Sequence, residues 1–194
     1  MRRWIGALFA VGSLCFMLGP LPGFIQLVGS AADGAVFFVG SVFFTSAAFL
    51  QFREADVGTV DWRASMIQLV GTVFFNINTF RAMQQSFDTS NVDRLVWAPE
   101  AVGSICFLVS GVLAYLEVRD GGLRRAARTL EWKISTVNLA GCILFGISAI
   151  AGYVVPKTGD VLDLAAANVT TSLGALCFLI GSLLLLPEPA APTG

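Results

Sequence analysis

The chain has 194 residues, of which 56% are hydrophobic and only 13% charged, and its mean hydropathy is +0.77. That is more apolar surface than one soluble core can hide, and it excludes an ordinary soluble helical bundle, whose helices need charged outer faces: Ala35 to Phe52 carries no charge at all. A formal net charge of −1, without any basic patch laced with aromatics, also argues against a nucleic-acid partner.

The first apolar run, Trp4 to Gly19, follows Met1-Arg2-Arg3 and stops at Pro20 and Pro22. It reads as a retained first helix. A lipoprotein cleavage site needs a small residue directly before the cysteine, whereas Leu14 precedes Cys15. Phe24 to Val28 is apolar but brief, and is expected at the membrane surface or as a continuation of the first helix around the prolines. Asp33 is the expected N-cap of a second span ending near Phe52. Arg53, Glu54, Asp56, Asp61 and Arg63 form a charged connection to a third span from Trp62 to about Phe80, and a polar loop then leads to a fourth from about Trp97 to Glu117, with Pro99 and Glu100 in its first turn.

Residues 117–131 are the most charged stretch, and Gly121 and Gly122 break the helix there. Beyond the break, Leu123, Ala126, Ala127 and Leu130 oppose Arg124, Arg125 and Arg128. The segment is either a basic cytoplasmic loop or a short amphipathic helix on the bilayer, and in both readings the three arginines are candidates for contact with anionic lipid. Trp132 opens a fifth span ending at Pro156, and a sixth runs from about Leu164 to Leu186. Residues 188–194 are expected to be a short disordered tail.

One pattern unites these spans. A glycine is followed four residues later by phenylalanine at Gly12, Gly40, Gly71, Gly103, Gly141 and Gly174, which pair with Phe16, Phe44, Phe75, Phe107, Phe145 and Phe178. The residue after each glycine is small, and the residue seven after it is small or Asn. Small residues on one helical face let helices approach closely where lipid tails supply no hydrophobic reason to associate, and each phenylalanine is expected to fill the gap beside its own glycine. The expected fold is an all-α polytopic membrane protein. A single membrane domain, 1–194, holds six transmembrane helices as three repeated helical hairpins, 4–52, 62–118 and 132–187, each opened by a tryptophan: Trp4, Trp62 and Trp132. Nine Lys and Arg residues fall at one side of these spans and three at the other, so both termini are expected to be cytoplasmic.

The unit carrying Trp4-Ile5-Gly6, Val11-Gly12-Ser13-Leu14-Cys15-Phe16 and Phe38-Val39-Gly40-Ser41-Val42-Phe43-Phe44 resembles the small two-helix YrhK-like membrane domain of bacteria. The resemblance is clearest over residues 4–52, and the later hairpins depart from it. It implies a bacterial plasma (inner) membrane and supplies no catalytic residues.

Polar residues of the third span share one stripe: Ser65, Gln68, Thr72, Asn76 and Thr79 are spaced three, four, four and three apart, with a partial echo at Ser135 and Asn138 of the fifth. They are either interhelical glue or the lining of a polar pathway. Glue is favoured, because no Asp, Glu, Lys or Arg lies at mid-depth, while Asp33, Glu100 and Arg81 sit near helix ends where capping and interfacial roles suffice. Cys15, Cys106, Cys142 and Cys177 lie in apolar stretches without a CxxC pair, and histidine is absent. With no phosphate loop, nucleophile elbow or zinc-helix motif, no catalytic, cofactor or metal site is expected. The favoured function is a non-catalytic accessory or scaffold subunit of a larger envelope or transport complex, whose partners are the lipid bilayer and other membrane proteins or a second copy. The alternative is a small carrier or channel for a small solute or lipid, and an enzyme has least support.

Overall fold

A computed structural model describes residues 1–84, 93–119, 129–155 and 157–186. Among them the chain is all-α: α1 (Arg2–Leu18), the single turn α2 (Phe24–Val28), α3 (Ser30–Glu54), α4 (Val60–Gln84), α5 (Ala98–Arg119, entered through a π-turn at Asp93–Trp97), α6 (Leu130–Ala151) and α7 (Leu164–Leu185).

Local chemistry sets these boundaries. Thr59 and Thr129 stand three residues before tryptophans, and their hydroxyls accept hydrogen bonds from the backbone N–H groups of Trp62 (3.1 Å) and Trp132 (3.2 Å), so one capping device opens both α4 and α6. Asp163 caps α7 through the N–H of Ala166 at 2.9 Å. The expectation for Asp33 is corrected. The helix starts earlier, behind Gly29, and Asp33 lies inside its first turn. Gly23 and Gly29 have φ of +91° and +83°, a conformation open to glycine, so Phe24–Val28 is a separate helical turn between α1 and α3 and not a continuation of either. The fifth helix ends at Ala151, short of Pro156, because Tyr153 and Val155 exchange backbone hydrogen bonds with Leu162 and Asp160 across a tight turn.

Six long helices close a ring: α1 packs on α3, α3 on α4, α4 on α5, α5 on α6, α6 on α7, and α7 returns to α1. Within α1/α3, α4/α5 and α6/α7 the predicted glycines meet. A Cβ at Gly40 would lie 3.2 Å from the Gly12 carbonyl oxygen, one at Gly71 3.1 Å from that of Gly103, and one at Gly141 3.0 Å from that of Gly174. The phenylalanines do not fill the gap beside their own glycines, as the helical pattern suggested. Each crosses to the glycine of the partner helix, Phe44 to Gly12 and Phe16 to Gly40, and likewise in the other two pairs. Neighbouring helices run antiparallel, so the side chain one turn past a glycine is the one that covers the opposing glycine.

Crossing in this way carries all six rings to the axis. Phe16, Phe75 and Phe145 form one triangle, with centroids 5.9 to 6.3 Å apart. Phe44, Phe107 and Phe178 form a second, at 5.8 to 6.4 Å, and the two are joined by contacts as short as 5.0 Å between Phe75 and Phe107. Around them the residues after the glycines are buried, among them Ser13, Ser41, Thr72 and Ser104. The outer faces of the helices are apolar and exposed, through residues such as Val11 and Leu14 on α1, Val70, Val73 and Ile77 on α4, and Leu173, Leu176 and Ile180 on α7. Small polar groups inside and aliphatic groups outside reverse a soluble bundle and suit lipid. Among the described residues four helices are long and apolar enough to cross a membrane: Ser30–Glu54, Leu95–Arg119, Leu130–Ala151 and Leu164–Leu185.

The glycines are not equivalent. A Cβ at Gly174 would lie 2.6 Å from the Phe145 ring and 3.1 Å from the Gly141 carbonyl oxygen, whereas one at Gly146, on the same helix pair, would meet nothing within 4 Å. Gly174→Ala is expected to cost roughly 1–3 kcal/mol through overpacking. Gly146→Ala is expected to stabilise by up to about 1 kcal/mol through helix propensity. Thermal unfolding of both variants in mild detergent checks the contrast, and equal stability would contradict the close packing.

Two cavities on either side of a phenylalanine plug

The plug separates two cavities. The first, about 420 Å³, opens at the end of the ring that carries the α1–α3, α4–α5 and α6–α7 connections. Its floor is the Phe16, Phe75 and Phe145 triangle, and its polar lining comprises Ser30, Asp33, Asn78, Thr79, Glu100, Ser148, Asn168 and Thr171. The second, about 380 Å³, opens at the end that carries the N-terminus. Phe107 and Phe178 border it, Gln68, Ser110, Ser135 and Asn138 line it, and Arg2, Glu54, Asp61, Glu117 and Glu131 contribute the charge. Between the two lies a gap of only about 10 Å³, walled by Phe16, Ser41, Phe44, Phe75, Phe107 and Phe145. That is no more than one water molecule needs, and the walls offer a single hydroxyl where a buried water wants about two to four polar partners.

The predicted polar stripe divides between these surroundings. Asn76 donates from Nδ2 to the Thr45 hydroxyl of α3 at 2.8 Å, and Thr79 shares a 2.9 Å hydrogen bond with Ser41, so these two tie α4 to α3. Thr72 is fully buried and donates back to the Leu69 carbonyl at 2.7 Å. Gln68 instead faces the second cavity, where the Ser110 hydroxyl of α5 reaches its Oε1 at a long 3.5 Å. At 100° per residue, Gln68 and Asn76 are roughly 80° apart around the helix, which turns one toward α5 and the other toward α3. Ser65 is buried, and Asn138 lines the second cavity with its amide oxygen packed against Gly181. Arg124, Arg125 and Arg128 lie outside the described residues.

Two residues of the first cavity carry more than their sequence positions suggested. Glu100 does lie in the first turn of α5, but its carboxylate faces the cavity and accepts a hydrogen bond from Asn78 of α4. Asp33 Oδ1 is shielded from water and has no hydrogen-bond partner. Asn78 went unremarked as a functional residue, although its signal was present: it is an amide at the position seven after Gly71, where the other helices place Gly, Ala or Ser. At the opposite end, the N-terminal amine lies 3.8 Å from Glu54 and Arg2 lies 3.9 Å from Glu131, all four groups being well exposed. Cys15, Cys106 and Cys177 pack their Cβ atoms over the glycines of partner helices, and Cys142 packs against Gly111. Among the described residues no three His, Cys, Asp or Glu side chains converge as a metal site would require.

Compared with protein-family models, curated proteins and solved structures, the chain matches none.

The split of the stripe predicts unequal costs. Asn76→Leu removes a short bond between helices and is expected to cost roughly 0.6–2 kcal/mol. Gln68→Leu removes a long one and should change thermal stability in detergent by less. A double-mutant cycle on Asn76 and Thr45 checks the assignment, since a coupling energy near zero would refute the bond.

Proposed function

We propose that this is a small carrier, which admits a small solute to one cavity at a time and passes it across the phenylalanine plug. The observation that carries the reading is the pairing of two partly polar cavities, open at opposite ends of one helix ring, with a gap of only about 10 Å³ walled by phenylalanines between them. A scaffold has no need of polar hollows on its axis, and in hydrocarbon such groups are costly unless they meet water or a ligand.

The reading takes the ring as six membrane spans in three repeated hairpins. Two features support this: the reciprocal glycine and phenylalanine contacts recur in all three helix pairs, and α1 and α4 present aliphatic faces outward like the other four long helices. Both termini are placed in the cytoplasm by the excess of basic residues at that end. A bacterial plasma membrane, and descent from a YrhK-like two-helix unit, are the proposals that the first hairpin's resemblance carries. An accessory subunit is the second reading: with short connections α3–α4 and α6–α7, the exposed aliphatic faces of the helices are what a membrane partner would hold.

Purified protein in liposomes tests the carrier reading. Against a panel of alkylammonium ions, amino acids, sugars and simple salts, at least one class is expected to cross faster than through protein-free vesicles, and Phe145→Ala is expected to add an unselective leak by thinning the plug. Permeability equal to that of empty vesicles for every class, together with a stoichiometric membrane partner in a mild-detergent pull-down, would favour the accessory subunit. The topology has its own check: Ser30→Cys and Thr158→Cys should react with an impermeant maleimide from outside the cell, and a cysteine appended after residue 194 only after lysis.

A further inference from the structure

We infer that the first cavity binds a small organic cation of the alkylammonium class. The inference deepens the carrier reading and rests on it for the idea that the cavity holds a solute at all.

Charge comes first. Asp33 from α3 and Glu100 from α5 both line the cavity, and no Lys or Arg does so among its described lining residues. Neither carboxylate is ion-paired among the described residues, and one oxygen of Asp33 is out of contact with water and without a donor. Carboxylates against apolar walls stay charged only beside a positive partner; among the described lining residues the protein supplies none, so these two either hold a proton or take a cationic ligand. The second cavity is different. Its mouth is also acidic, but there Arg2 and the N-terminal amine sit beside Glu131 and Glu54, so only Asp61 and Glu117 lack a cation among the described residues.

The remaining surfaces narrow the class. Three phenylalanine rings form the floor, and rings offer nothing to a metal ion that demands six or more oxygens, whereas they pack well against the methyl and methylene groups of an alkylated ammonium centre. A sugar would need several free donors and acceptors. Ser148 and Thr171 are already bonded to each other at 2.6 Å and Asn78 is engaged by Glu100, which leaves Ser30 and Asn168 as the main uncharged donors. Anions are repelled by both carboxylates. A volume of about 420 Å³ sits at the small end of the range for organic ligands.

Isothermal titration of the full chain in detergent tests this with choline and tetraethylammonium. The controls are 3,3-dimethyl-1-butanol, which is the uncharged counterpart of choline, together with acetate and magnesium chloride. Saturable binding of at least one ammonium ion is expected, at least about tenfold tighter than the uncharged counterpart. Asp33→Asn and Glu100→Gln should each weaken it by about tenfold or more, while Glu117→Gln in the second cavity leaves it unchanged. Equal binding of the uncharged alcohol, tighter binding of magnesium, or no heat from any ammonium ion would each overturn the inference on the unaltered protein, whether or not the variants fold. The two readings also fail separately. Ammonium binding without flux in liposomes would keep the cation site and remove the carrier. Flux of neutral solutes without ammonium binding would do the reverse.

Discussion

The close approach of helix backbones at three glycine pairs is the constraint on which everything else in this molecule depends. In lipid the helices gain nothing by hiding apolar surface from one another, so they associate only where they pack well. Glycine allows a carbonyl oxygen of the facing helix within about 3 Å of where a side chain would start. Each approach also makes room for a phenylalanine from the facing helix to cross it, which brings six rings to one point on the axis.

Hydrogen bonds take a different share of the work. The glycine pairs hold each helix to its sequence neighbour, whereas side-chain hydroxyls and amides stitch one pair to the next. Asn76 and Thr79 bond to α3, Ser104 donates to the Phe145 carbonyl, and Ser172 donates to the Met17 carbonyl to close the ring between α7 and α1. Each such bond is worth on the order of 0.6 kcal/mol in a membrane. They therefore select which pairs adjoin more than they hold the bundle together.

Much of this was legible in the residues, because a helical face repeats at a fixed spacing and burial leaves a record of residue size. The small residues after the glycines and the phenylalanines four later are all buried, as one face written six times requires. Which glycine each ring covers was not legible, since spacing along one helix is silent about the register of its antiparallel neighbour. Asp33 lost its expected role to Gly29, whose left-handed backbone starts the helix a turn sooner. The first cavity was hidden for a related reason. Glu100 beside Pro99 looks like an ordinary interfacial acid, and only closure of the ring brings it to Asn78 and to the same hollow as Asp33.

The two halves of the ring are held unequally. At the plug and on the first-cavity side four bonds between helices are short, Asn76 to Thr45 at 2.8 Å, Ser41 to Thr79 at 2.9 Å, Ser148 to Thr171 at 2.6 Å, and the Trp97 indole N–H to the Ala149 carbonyl at 2.8 Å, while Ser104 to the Phe145 carbonyl and Ser172 to the Met17 carbonyl are longer, at 3.4 and 3.3 Å. On the second-cavity side they are long, with Ser110 to Gln68 at 3.5 Å and Ser135 to the Ala114 carbonyl at 3.4 Å, supplemented by exposed ion pairs near 3.8 and 3.9 Å. Exposed pairs of that kind contribute little, and hydrogen bonds at the limit of geometry contribute less than well-formed ones. Spreading the helices at the terminus end therefore sacrifices less bonding than spreading them at the connection end. The three glycine pairs lie at the level of the plug between these halves, and Gly6, Gly111 and Gly181 add close contacts on the second-cavity side.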